Sequence, residues 1–544
     1  MKRNIVPYIR KAQNFAASGD MGACREQCVK AWSLDRLNPD NLVAVCTTLI
    51  DAGQDELALD ILGEAVTLQG ETEALCSIMG EMALRMNLPH VAEKAYAKAC
   101  EHNPAEPSHI LHLAKAYELL ERQDDAVQLL QTSLQMFSQY AAFWNALGML
   151  INLYTSDLAN SRIFLQEGIR LRPDVADYHH NLALTFHDQP PAEPHYREAL
   201  RLAPRNSQIK VSYGIYLLQR MRPEEAWPYY EARLDPELGD SKVAQYDHGV
   251  RAWKGQSLEG KSIFVYAEQG IGDEVFFSLF LPRLLDMGAR VHVGCDPRLT
   301  GLYERSFPGV AAYGFDDVKN FRYRVRRFPG LHDWMKTNGS KVDFSVAVGS
   351  LPYRLGLTLD DIRSTEGHIF TPEPSRLEEL RKYIVPGKRP KIAVSWRSSN
   401  ISGVRRFYYL GLDYVKALSS AVDADFYVLQ YSYTDAERAE LGALDNIHFF
   451  DDLDLKQDIE ANIAILSMMD ASVGPPTATQ MFAQASGTPI FLVNNGPPWT
   501  SFGAALAPPR YKEGSRFIHT RSGVHFKSNE QLVADIKASL EELA

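Results

Sequence analysis

Five small residues, Gly80, Ala114, Gly148, Ala183 and Gly214, recur at intervals of 34, 34, 35 and 31 residues. A second ladder, Ala58, Ala92 and Ala126, runs at 34 and 34, and Pro39, Pro104, Pro173 and Pro204 keep related time at 65, 69 and 31. Two independent ladders with one period restrict the first half of the chain to a repeat architecture. Apolar residues at i, i+3 and i+4 surround each rung, as in LHLAKAYELL and WNALGMLINLY, so each unit is helical. A small residue in the first helix lets the second approach closely, another lets the next unit pack, and proline sets the turn between units. The expectation is a stack of six or seven antiparallel helix pairs over residues 5–232.

The spacings of Trp144, Leu147 and Gly148, and of Ala92, Tyr96, Ala99 and Pro104, resemble the tetratricopeptide repeat. A solenoid of this kind presents a concave groove to an extended or helical peptide. The alternative is that these helices buttress the second half or dimerise.

At 544 residues the chain exceeds one core, and about 150 residues per domain suggests three or four units. The formal charge of -11 and pI near 5.8 argue against a nucleic-acid binder. No run approaches the ~18 apolar residues of a membrane span, and the first twenty residues lack the apolar core of a secretory signal. Cys24, Cys28, Cys46, Cys76, Cys100 and Cys295 show no CxxC and no matching His spacing, which favours buried free thiols in a reducing compartment over zinc or disulfides. The expected location is cytoplasmic.

Past residue 235 the pattern changes. After a linker over 233–260, short apolar runs alternate with amphipathic helical stretches: SIFVYAE, RVHVGCD, VDFSVAV, KIAVSW, DFYVLQY, HFF, DASVG and PIFLVN. Such alternation indicates doubly wound α/β structure. The proline-bearing segment 367–390 splits it into two Rossmann-like lobes, 261–375 and 376–544, and ligands bind at the carboxyl ends of such strands.

Two loops carry chemistry. Glu268-Gln269-Gly270-Ile271-Gly272-Asp273 joins a strand to an apolar helix. Its glycines permit a sharp turn and close approach to a ligand, and Asp273 could accept a proton from an attacking hydroxyl. Helix capping by Asp273 is the plainer alternative. The loop is not the dinucleotide GxGxxG pattern, which disfavours a nicotinamide cofactor. The second loop, Ser472 to Gln480, places Gly474-Pro475-Pro476 before a helix beginning Thr477-Ala478-Thr479-Gln480. That amino terminus, with the Thr477 and Thr479 hydroxyls, is a seat for phosphate, against ordinary N-capping by Thr477. Between the two, Trp396-Arg397-Ser398-Ser399-Asn400 and Arg405-Arg406 follow a strand, and their arginines could neutralise a departing phosphate. Asp451 to Asp454 contains an Asp-x-Asp, which reads better as solvated charge and capping than as a metal site.

The run Trp253, Gly255, Leu258, Gly260, Lys261 followed by YAEQGIGDEVFF resembles bacterial proteins that join tetratricopeptide repeats to a glycosyltransferase of the two-Rossmann-lobe, GT-B type. GSLPYRLGL, IAVSWRSSN, VLQYS and DIEANIAILSMMDASVGPPTATQMFAQASGTPIFLV extend a likeness to the lipopolysaccharide heptosyltransferases over about 280 residues, and flagellin glycosyltransferases share this layout. The resemblance implies an inverting, metal-independent transferase with Asp273 as catalytic base. It implies donor contacts at Arg406 and at Thr477, Ala478, Thr479 and Gln480, to which the reading of the loops adds Gln269, Gly270, Gly272, Trp396, Arg397 and Gly474. It also implies no cofactor besides a nucleotide-sugar co-substrate, and flagellin as the protein captured by the repeats. The chain departs from the heptosyltransferase pattern Asp-Thr-Ala-x-x-His-Leu-Ala at Pro476 and Met481. That points away from ADP-heptose and a lipid A core, and toward a donor such as a CMP-linked nonulosonic acid. Transfer to a glycan or lipid carrier, or a non-catalytic scaffold, are the alternatives.

Overall fold

The computed structural model describes residues 4–155, 157–238, 243–320, 323–398, 409–494, 515–522 and 525–541. The chain divides into two compact units: Met1–Phe186 with Pro191–Pro204 and Lys319–Arg324, and His187–Pro190 with Arg205–Val318 and Val325–Ala544.

The first unit is a helical solenoid. Its pairs are Val6–Ala17 with Met21–Leu34, Pro39–Asp51 with Asp55–Gln69, Glu73–Arg85 with Pro89–His102, Pro107–Leu119 with Gln123–Ser133, Ala141–Tyr154 with Leu158–Leu171, and Ala176–Leu184 with Ala192–Leu202. First helices of consecutive pairs touch one another, so they form one layer and the second helices the other. The small-residue ladder lies where the helices of a pair cross. A methyl on Gly80 would stand 2.6 Å from the Tyr96 ring, and one on Gly148 would stand 2.7 Å from Leu165 Cγ. Ala58, Ala92 and Ala126 are fully buried. All six cysteines are free, and five are buried.

The turn inside each of the first four pairs is a third ladder, unread in the sequence. Gly19, Gly53, Asn87 and Glu121 follow their first helices at 34-residue intervals, and all have left-handed backbones, with φ of 84°, 67°, 57° and 59°. In each, the next amide donates to a carbonyl five residues back, as from Gln54 N to Leu49 O at 2.8 Å and from Arg122 N to Tyr117 O at 2.9 Å. This is the Schellman closure of a helix. It suits glycine and strains a residue with a Cβ.

The second unit opens with a seventh helix pair, Ser207–Gln219 and Pro223–Tyr230, and continues into two parallel sheets. The first sheet runs Ala311–Gly314, Arg290–Cys295, Ser262–Tyr266, Phe344–Ala347 across its width. The second runs Ile447–His448, Asp425–Val428, Lys391–Val394, Ala471–Gly474, Ile490–Asn494, Arg516–His519. Numbered along the chain, these orders are 3-2-1-4 and 3-2-1-4-5-6. The order reverses beside strands Ser262–Tyr266 and Phe344–Ala347 in one sheet, and beside Lys391–Val394 and Ala471–Gly474 in the other. The central strands are buried on both faces, and Val394, Phe426, Val473 and Phe491 anchor the second core. Among the described residues no helix is long and apolar enough to cross a membrane.

The turn ladder predicts opposite effects of exchanging its residues. Glu121→Gly stabilises the solenoid by roughly 0.5–1 kcal/mol and raises its denaturation midpoint, and Gly53→Glu destabilises it by at least as much and lowers the midpoint. Chemical denaturation followed by circular dichroism checks both signs.

Candidate functional site

Both loops singled out in the sequence fall at the switch points of their sheets, where doubly wound folds hold ligands. In the first, helix Ile271–Ser278 starts from Gly270, whose position is the N-cap and which offers no side chain. Asp273 therefore sits inside the first turn, half-buried. Its carboxylate stays near the loop: a methyl on Gly270 would stand 3.6 Å from Asp273 Oδ2. The preceding residues are held firmly. Glu268 is buried against the Arg233 guanidinium at 2.8 Å, and the Gln269 amide donates to the Tyr230 hydroxyl at 3.0 Å. The next residue, Glu274, is buried and points into the lobe, where both its oxygens accept the Asp296 amide at 3.2 Å. Burial, with the nearby Asp296 charge, pushes its carboxyl up to about 8.

In the second loop, Gly474 has no room for a side chain, because a methyl would stand 2.5 Å from Ser395 Oγ and 2.7 Å from Ser395 O. Thr477 takes the N-cap position of helix Ala478–Ala485, but its side chain makes no cap bond and its Oγ1 is buried with no partner among the described residues. Ser395 Oγ and Gln480 Oε1 are buried and unpartnered in the same region. The first turn of this helix carries no acidic residue, so nothing there balances the partial positive charge of its amino terminus. Thr479 and Gln480 are buried, and the Gln480 amide turns to Ser472 Oγ at 3.0 Å. Their side chains line the floor, and Thr479 does not present the exposed hydroxyl expected from the sequence.

The two loops meet. A methyl on Gly272 would stand 3.3 Å from the Ala478 Cα and 3.6 Å from Met481 Cγ, so the first turns of the two helices are in van der Waals contact. Asp273 and Thr477 are each one residue from that contact. Met481 lies against it with an apolar side chain.

Trp396 and Arg397 are turned elsewhere. The Trp396 indole donates to Glu437 Oε1 at 3.2 Å, the Arg397 guanidinium donates to Glu437 Oε2 at 2.7 Å, and both backbone amides donate to Gln430 Oε1. Glu437 comes from helix Asp435–Gly442, which follows the neighbouring strand. Burial pushes its carboxyl up, but the bonds from the Thr434 amide, Arg397 and Trp396 together hold it below the usual range. The structure thus pairs the Arg397 charge with Glu437. Arg406, with Ser399, Asn400 and Arg405, lies outside the described residues. Asp451 pairs with Arg438 at 2.7 Å, and Asp454 accepts the Lys456 amide at 3.0 Å, so this acidic run is occupied by pairing and turn capping. Among the described residues no cluster of three or more His, Cys, Asp or Glu is arranged for a metal ion.

A cavity of about 510 Å³ lined by Lys388, Ile392, Asp470 and Lys537 opens at the opposite, amino-terminal edge of the second sheet, away from the switch point. In the solenoid, a hollow of about 270 Å³ lies on the first-helix layer between the fourth and fifth pairs, lined by Leu111, Lys115, Glu118, Ala146, Met149 and Leu153. These residues went unread because their spacings, i, i+4, i+7 in one helix and i, i+3, i+7 in the other, match that of the buried stripe. Glu437, Tyr230 and Arg233 also went unread, since each works through a partner far away in sequence, and Ser395 went unread because its burial beside Gly474 appears only in the fold.

No protein-family model matches the chain. It is 29% identical over 445 residues to Protein FlbA of Caulobacter vibrioides, an alignment spanning 79% of this chain and 73% of that protein. Among solved structures, a thermophilic TPR protein of Thermus thermophilus is similar at 18% identity and a TM-score of 0.30, over 33% of this chain and 100% of that one. A tetratricopeptide repeat protein of Parabacteroides merdae is similar at 15% identity and a TM-score of 0.33, over 42% of this chain and 91% of its own.

The raised Glu274 carboxyl predicts a pH dependence. An acid whose folded value lies above its unfolded one stabilises the protein below the unfolded value, near 4.5, and loses that contribution as pH rises through about 8. Glu274→Gln removes the loss. Its thermal midpoint, relative to the unaltered chain, climbs between pH 5 and pH 8.5 and then levels, as differential scanning fluorimetry across that range will register.

Proposed function

We propose that the chain is a protein O-glycosyltransferase of the GT-B type, in which the solenoid captures a polypeptide and the α/β unit transfers a sugar from a nucleotide donor to Ser or Thr. The observation that carries this reading is the Gly272–Ala478 contact. It joins a carboxylate on one helix amino terminus to an anion seat on another, across two switch points. Asp273 takes the proton of the acceptor hydroxyl, and the oxygen attacks the anomeric carbon from the face opposite the leaving group. The carbon–oxygen bond to the donor phosphate breaks, and its electron pair leaves with the nucleotide. That charge meets the free amides of helix Ala478–Ala485 with the Ser395 and Thr477 hydroxyls. The configuration inverts, and no metal is needed for the step. The described donors of the seat are hydroxyls and amides, which suits a single phosphate, as in a CMP-linked nonulosonic acid, better than a diphosphate. Flagellin as acceptor rests on the sequence resemblance.

The reading predicts that Asp273→Asn lowers transfer by ~10²-fold or more while acceptor capture is unchanged. Intact-mass analysis of the co-expressed acceptor and a pull-down measure the two separately. Full transfer by Asp273→Asn removes Asp273 as the base. Removing residues 1–204 abolishes modification of the protein acceptor but leaves nucleotide binding by calorimetry. The departures at Pro476 and Met481 and the commitment of Arg397 to Glu437 favour a second reading, a scaffold without chemistry. Failure of the full chain to bind any nucleotide of a panel would select it.

A further inference from the structure

We infer that the seventh helix pair belongs to the catalytic apparatus rather than to the capture arm, and that Arg233, just beyond it, is a positioning residue for Asp273. This rests on the transferase reading above. Three successive residues lead from the end of strand Ser262–Tyr266 to Gly270, and each is fixed by a buried side chain from another element. The Ala267 carbonyl accepts from Arg326 Nη1 at 2.9 Å. The Glu268 carboxylate accepts from Arg233 Nε at 3.0 Å and Nη2 at 2.8 Å, and the Gln269 amide donates to the Tyr230 hydroxyl. Two of the three anchors, Tyr230 and Arg233, lie at the end of the seventh pair.

Arg233 does more than balance a charge. Its guanidinium also donates to the Tyr230 carbonyl at 3.3 Å, to Glu231 at 3.0 Å and to Ser350 Oγ at 2.9 Å. Ser350 and Gly349 form the loop after strand Phe344–Ala347, and the Gly349 amide donates to the same Glu268 oxygen at 3.1 Å. Glu231 closes the ring by accepting from Ser350 Oγ and from Arg354 Nη2. One planar fork therefore sets both loops of the first switch point, and a lysine cannot reproduce its directions. Only Gly270, Ile271 and Gly272 separate this fixed frame from Asp273. A further bond from Leu359 N to Glu224 Oε1 at 3.0 Å ties the last helix of the pair to the same lobe.

The test separates stabilisation from positioning. R233M strands the Glu268 charge and lowers the thermal midpoint, whereas R233M/E268L removes both charges and recovers most of it. In the full-length double variant we expect amide exchange over residues 267–273 to speed up by about tenfold. We also expect kcat for transfer to fall by about tenfold with the donor KM unchanged. Exchange and kcat equal to the unaltered chain would overturn the inference, leaving the pair a stabilising contact alone. If the unaltered chain transfers no sugar, the enzymatic reading fails by itself, and unchanged exchange over 267–273 still overturns the positioning role.

Discussion

The second unit depends on an ion pair that water does not reach. The side chains of Arg233 and Glu268 are 3% and 2% exposed, so each carries a desolvation cost of several kcal/mol. Their mutual attraction offsets that cost only if the remaining hydrogen-bonding capacity is used. Arg233 uses its fork on both sides, but Glu268 places every bond on Oε1 and leaves Oε2 buried without a partner. Apolar residues of like size would hold the fold as well or better. What apolar residues cannot supply is direction, because a fork and a carboxylate meet in few orientations. The pair fixes where the loop before Asp273 runs, and losing one partner alone would cost about 3–5 kcal/mol.

The sequence made different levels of this structure legible for different physical reasons. Helix pairing was open to inspection because close packing demands a small residue at each crossing, and Gly80, Ala114 and Gly148 announce it. The left-handed turns at positions 19, 53, 87 and 121 obey the same period but were hidden, since Asn87 and Glu121 occupy a conformation that only their neighbours' hydrogen bonds enforce. The seventh pair has the same helical pattern as the first six. Nothing local marks its membership in the second unit, which depends on Arg233 reaching a residue 35 positions on.

Site residues divide the same way. Gly270, Gly272 and Gly474 were readable, since a backbone that must turn or be crowded excludes side chains. Trp396 and Arg397 follow a strand end in the right lobe, and from sequence they face a ligand. Glu437, 40 residues past Arg397, claims both. A cation reads as available until the fold reveals the anion beside it, so single arginines are weak evidence for a phosphate contact. Unpartnered hydroxyls are stronger evidence, and those of Ser395 and Thr477 became visible only once burial was known.

The contact between the two helix starts has an electrostatic consequence. Each helix end carries about half a positive charge on its unpaired amides, and Gly272 against Ala478 brings the two ends together. Like poles this close repel, and the repulsion grows as water is excluded. On helix Ile271–Ser278 the first-turn carboxylates Asp273 and Glu274 oppose it, though Glu274, with its carboxyl pushed up to about 8, is largely neutral at pH 7. Asp273 is the other acidic residue of that first turn. Helix Ala478–Ala485 has no such residue in its first turn, and Thr477 does not cap it. Its positive end has no acidic residue of its own to oppose it, and it lies beside hydroxyls with no partner among the described residues. On the proposed reading, an anionic group entering there relieves the repulsion and satisfies the hydroxyls.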